Sequence, residues 1–181
     1  ALGYLALSTD TRGRLNTAVG ANALQTQNFS SSTDSYNVAV GKSAGTSVTT
    51  GVENTLIGSE TGDALTDADF NTAVGSKALG ADTQGSRSTA VGRNALKNQN
   101  FSSATDSGNT AVGDQAGLSV TTGQNNTIVG SDAGDALTTG YLNTFVGSNA
   151  GSATDDGQSN TAVGAFALDA GNCGDGNTAI G

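Results

Sequence analysis

The chain contains no proline, histidine, methionine or tryptophan, and its only cysteine is Cys173. Each absence removes a class of explanation. Without histidine, Ser-His-Asp and Cys-His catalysis and most transition-metal sites are excluded. A lone cysteine offers no disulfide framework, so Cys173 reads as a small residue, buried or half-buried, at a turn. Average usage of about 5% would place roughly nine prolines in a chain of this size. Their absence fits a backbone whose amides are nearly all needed in hydrogen-bond ladders, and it argues against a disordered linker, where proline is enriched.

Positive charge is also scarce: seven Lys and Arg stand against 16 Asp and Glu, and none lies beyond Lys97. Neutralising phosphates needs clustered basic residues, so nucleic acid is not an expected partner. No run is long and apolar enough to insert directly in a membrane. With 35% apolar residues and five Phe, the chain has too little bulk for an ordinary globular core.

What it has instead is 27 glycines and a repeat. Five-residue segments of the type Asn-Thr-Ala-Val-Gly begin at 16, 37, 54, 71, 88, 109, 126, 143, 160 and 177. They are 17 residues apart, except for two intervals of 21. Segment NFSSSTDS at 28–35 returns as NFSSATDS at 100–107, a distance of 72 residues that equals one expanded and three regular units. Its recurrence therefore reflects duplication of a four-unit block. Counting places from the Asn, the fifth is Gly in every copy, the second is Thr apart from Val38, and the fourth is Val or Ile in every full copy.

Periodicity of this kind specifies a repeat architecture. The alternating β-branched residues at the second and fourth places predict a short strand ended by glycine. A second short strand is expected over the eighth to twelfth places. The whole chain, 1–181, then reads as a single all-β domain: a parallel β-solenoid of about ten turns with two short strands per turn, forming a rod roughly 48 Å long. The recurring Asn would stack at a turn and bond along the rod. Since the chain begins and ends within a repeat, it is expected to be a portion of a longer fibre. Val and Ile at the fourth place favour burial of the Thr file inside the roll. The third place is apolar too and would face outward, so Leu56, Ile128 and Phe145 are expected to face identical chains packed against this one.

The unit resembles the head repeat of the YadA-like trimeric autotransporter adhesins, N-S-x-A-I-G-x-x-A, and similar repeats of phage tail-fibre proteins. Asn16-Thr17-Ala18-Val19-Gly20-Ala21-Asn22-Ala23 and Asn71-Thr72-Ala73-Val74-Gly75-Ser76-Lys77-Ala78 carry the likeness, which extends over the whole chain. It implies a left-handed β-roll, three chains around one axis, and an extracellular, cell-surface or virion-surface location. None of the 181 residues resembles that family's neck, stalk or anchor, and turns of 17 and 21 residues are longer than its usual turn.

The expected role is therefore non-enzymatic, without metal or other cofactor: a structural or adhesive fibre segment that attaches to a surface receptor, glycan or matrix. Residues that break the repeat are the candidate binders. These are Asn28, Phe29, Asn100 and Phe101 in the expanded turns, then Tyr36, Phe70, Tyr141 and Leu142 just before the Asn. Alternatively, each Phe folds back to cap its own bulge. A different function follows if the Thr-x-Val file is exposed, because regular Thr rows on β-solenoids bind ice. Carboxylate pairs such as Asp67/Asp69, Asp132/Asp135 and Asp155/Asp156 lie in variable turns without the spacing of a calcium solenoid.

Overall fold

In the computed structural model, which describes residues Ala1–Gly181, the repeat winds into a parallel β-solenoid without helix. Ten three-residue strands, Thr17–Val19, Val38–Val40, Thr55–Ile57, Thr72–Val74, Thr89–Val91, Thr110–Val112, Thr127–Val129, Thr144–Val146, Thr161–Val163 and Thr178–Ile180, make one sheet in chain order. Every neighbouring pair is parallel and in register, so Ala111, Ile128 and Phe145 sit side by side on successive turns. At the usual strand spacing, ten strands span roughly 43 Å along the rod.

The fifth-place glycines enforce that stacking. Their φ angles lie between +127° and +144° from Gly20 to Gly164, and a Cβ on Gly41 would fall 2.2 Å from the Gly58 carbonyl oxygen one turn on. Only glycine accepts both the conformation and the close approach. The Gly41 N–H donates to the Val19 carbonyl at 2.8 Å, tying each turn to the one before.

No strand forms over the eighth to twelfth places, where one was expected; linked turns run there instead. The seventh, ninth and last places of the turn adopt left-handed backbone in turn after turn, for example Asn22, Leu24 and Tyr36 at φ of 62°, 48° and 50°. Such residues interrupt an extended strand and bend the chain sharply. The turns still form a ladder along the rod, with the Leu24 N–H donating to Ala44 O at 3.1 Å and Gly45 N–H to Thr61 O at 2.9 Å. Secondary two-residue strands occur only at the expanded turns, pairing Gly13–Arg14 with Thr33–Asp34 and Gly85–Ser86 with Thr105–Asp106.

Most of the asparagines lie inside the roll, and six of them each make one bond across their own turn and one to the next. Asn126 Nδ2 donates to Gly140 O at 2.9 Å across its own turn, while its Oδ1 accepts from the Asn143 backbone N–H at 2.9 Å on the next. Asn37, Asn54, Asn71, Asn109 and Asn143 repeat the arrangement. Their amides are needed for structure, since a buried N–H or C=O left unpaired costs more than the bond contributes.

The third place points into this same interior. Leu56, Ile128 and Phe145 are fully buried within the single chain, which corrects the expectation that they face other chains. They fit because large side chains at the third place occur only where the ninth is Gly: a Cβ on Gly62 would meet Leu56 Cδ2 at 2.9 Å, and one on Gly151 would meet the Phe145 ring at 2.6 Å. Gly at the ninth place is also paired with an inward Val48, Leu65, Val120, Leu137 or Thr154 three residues later. Where the ninth is Leu, the residue three later is polar in Asp10, Gln27, Asp82 and Gln99. This exchange keeps a thin core filled without voids.

Candidate functional site

With the third place turned inward, the second and fourth places face out. Thr17, Thr72, Thr127 and Thr178 are exposed, the other members of their file are half-buried, and Ile57, Val112, Val163 and Ile180 are the most exposed of the aliphatic file beside it. Burial of the Thr file in the roll, expected from its Val and Ile companions, is therefore corrected. The outcome is a two-column face, hydroxyl and methyl groups of Thr in one column and aliphatic side chains in the other, with no charged residue in ten turns. Every backbone bond of this sheet is made within the chain, so the face offers side chains alone.

Beside the Thr file runs the corner formed by the last place of each turn, whose left-handed backbone turns side chains into solvent. Leu15, Tyr36, Phe70 and Leu142 project from it, continuing apolar surface around the edge of the sheet. Arg87 follows Phe70 on that corner and lies over its ring, 5.0 Å from the centroid. Tyr141 is exposed one place earlier.

The expanded turns behave differently from the binding expectation. Phe29 and Phe101 are 7% and 5% exposed, so they fold back and cap their own bulges rather than projecting from them. What they cover is an interior polar pair. Asp82 accepts from Gln99 Nε2 at 2.5 Å and from the backbone N–H groups of Gly85 at 3.0 Å and Phe101 at 3.3 Å, while Gln99 Oε1 accepts from Asn109 Nδ2 at 2.8 Å. Asp10, Gln27 and Asn37 form the same network in the first block. Asn28 and Asn100 are exposed, but their Oδ1 atoms accept from Thr11 at 3.2 Å and Thr83 at 3.0 Å. Ion pairs Arg14–Asp34 at 2.7 Å and Arg87–Asp106 at 3.0 Å bind the outer rims.

No group of three or more His, Cys, Asp or Glu side chains converges on a point, and no helix is long and apolar enough to cross a membrane. The carboxylates at variable turns serve the stack: Asp69 accepts from the Val52 N–H, and Asp132 from Gln115 Nε2. Burial raises the pKa of Asp63 and of Asp135 above the usual carboxylate value, opposed in both by backbone hydrogen bonds and reinforced by Glu60 and Asp132 respectively. Cys173 is half-buried and unpaired in the last loop. Comparison with protein-family models, curated proteins and solved structures found no match to this chain.

Sequence reasoning thus located the exposed corner residues Tyr36, Phe70, Tyr141 and Leu142; of its two readings of Phe29 and Phe101 the capping one holds, and it misplaced the third-place residues. A signal for the latter was present: bulk at the third place appears only beside Gly at the ninth, as expected when two positions compete for one volume.

Proposed function

We propose that the chain is a non-enzymatic segment of an extracellular fibre in which identical copies, most simply three, associate through the Thr-Val face and support attachment to a surface. The observation that carries this reading is the outward, uncharged face of the ten-stranded sheet, bordered by exposed Leu15, Tyr36, Phe70 and Leu142. Parallel sheets are normally covered on both sides, and a solvated aliphatic file of this length marks an association surface. The likeness of the repeat to trimeric adhesin heads supports the same number of copies. Side-by-side association also suits the thin core, because each roll buries little by itself.

Sedimentation equilibrium tests it. The expected mass is three times 17.6 kDa, and Val129→Asp should release folded single chains. A wild-type species of 17.6 kDa at tens of micromolar would overturn the reading.

One observation favours a second function for the same surface. Nine of the ten strands present an outward Thr, repeated at the strand spacing of about 4.8 Å and flanked by methyl groups. An uncovered array of this kind is suited to ordering water in a lattice and so to binding ice. The readings compete, because association would hide the array. Thermal hysteresis from a single-chain species, abolished by Thr127→Lys, would select ice binding, and its absence at millimolar protein would discard it.

A further inference from the structure

Between two successive turns on the corner of the rod lies a cavity of about 410 Å³ lined by Thr122, Gln124, Asn125, Thr139, Tyr141 and Leu142. We propose that it is a subsite for a neutral saccharide, which names a ligand class for the attachment role and in that respect rests on that reading. Its volume falls within the range of about 300–1,000 Å³ typical of small-molecule sites.

The lining chemistry selects the ligand. Tyr141 and Leu142 are both substantially exposed and supply an aromatic face and an aliphatic wall, the pairing that accepts the C–H surface of a sugar ring. One turn before them along the rod, the Gln124 and Asn125 amides each offer donors and an acceptor, and Thr122 and Thr139 add hydroxyls, a set that matches adjacent sugar hydroxyls. None of these side-chain groups is engaged in a hydrogen bond within the chain, whereas the corresponding polar groups elsewhere are often tied to a neighbouring turn: Asp69 to Val52 N–H, Ser86 to Asp69 N–H and Asp175 to Gln158. The lining carries no charge, in a chain of net charge -9, which disfavours acidic sugars and phosphates.

The site is also singular in the repeat. At the equivalent places, neighbouring turns carry Glu53, Asp67, Asp69, Arg87, Asp156 or Asp175. Only the turns beginning at 109 and 126 are wholly uncharged there with an aromatic ring between them. Gly108 on the preceding turn leaves room for the Asn125 amide: a Cβ there would come within 2.6 Å of Asn125 Oδ1.

The test is a glycan array with neutral and acidic oligosaccharides, followed by saturation-transfer NMR on each sugar retained, with sedimentation on the same samples. Retention of neutral glycans is expected, weakened by about tenfold or more in Tyr141→Ala and in Gln124→Ala/Asn125→Ala, and unchanged in Tyr36→Ala. No glycan retained, retention of acidic glycans alone, or full retention by Tyr141→Ala would overturn the subsite. Association intact with no sugar bound sinks this site alone. Sugar binding by a single-chain species sinks the fibre reading and leaves the site standing.

Discussion

The inner and outer faces of the ten-stranded sheet come from the same three-residue strands, yet they obey different rules. Inward, each residue is matched to its own turn: Phe145 lies over Gly151, Leu56 beside Gly62, Ile128 beside Gly134, and Ala occupies the remaining turns. Outward, the residue scarcely varies, Thr then Val or Ile, whatever lies beneath. Variation coupled to neighbours is the mark of a filled interior, where one methylene too many or too few is felt. Outward, nothing in the turn beneath selects among residues, and the face repeats one shape along the rod.

Substitutions on the two faces should break that comparison or sharpen it. The largest effect is expected for Phe145→Ala, which empties the widest turn and should cost about 3–5 kcal/mol by denaturant unfolding. A loss no greater than that of the outward Val146→Ala would erase the distinction between the faces. Next comes Gly92→Ala: its Cβ would run into the Gly113 carbonyl at a φ of +138°, and strain of about 1–3 kcal/mol before any clash should appear as a lowered midpoint. Asn126→Ala removes one bond across its own turn and one to the next and leaves Gly140 O and the Asn143 N–H unpaired inside, so about 1–3 kcal/mol should be lost. Thr127→Val on the outer face should change the unfolding of the isolated roll by less than about 0.5 kcal/mol while altering whatever the face binds.

The smallest effect concerns pH. Burial lifts the folded-state pKa of Asp63 above 3.8, so the folded chain holds this proton more tightly than the unfolded chain does. Its contribution is most favourable below 3.8 and is lost as pH rises through the raised value. Asp63→Asn should accordingly raise stability at pH 7 by no more than about 0.5 kcal/mol, with the gain disappearing on acidification. A difference in melting temperature that is constant across pH would show that the carboxyl's charge is not the cause.

Much of the architecture was legible because a repeat constrains its own geometry. A strict fifth-place Gly and a period of 17 imply turns stacked closely enough to exclude a side chain, and the Asn file implies an interior ladder. The expanded turns were legible as a pair, but the sequence left open whether their Phe side chains project or fold back, and they fold back. Phe29 and Phe101 look like residues thrust from the outline until Asp10, Gln27, Asp82 and Gln99 are seen beneath them, an arrangement that depends on residues of two different turns. The corner cavity escaped notice for a similar reason: Gln124 and Asn125 become neighbours of Tyr141 only through the winding.

By itself the sequence determined that the chain would wind, with what period, where it could stack and which residues would be locked in ladders. It did not determine which side of each strand is inside. Alternation puts Thr and Val on one face and the residue between them on the other, and both faces are apolar enough to be buried. The direction of closure decides between them. It is set by left-handed residues such as Asn22, Leu24 and Tyr36, few of them glycine outside the ninth place, so nothing in their side chains announces the bend. Packing of the completed turn holds those residues in place, and so only the tertiary structure turned Phe145 inward and left the Thr-Val face in solvent.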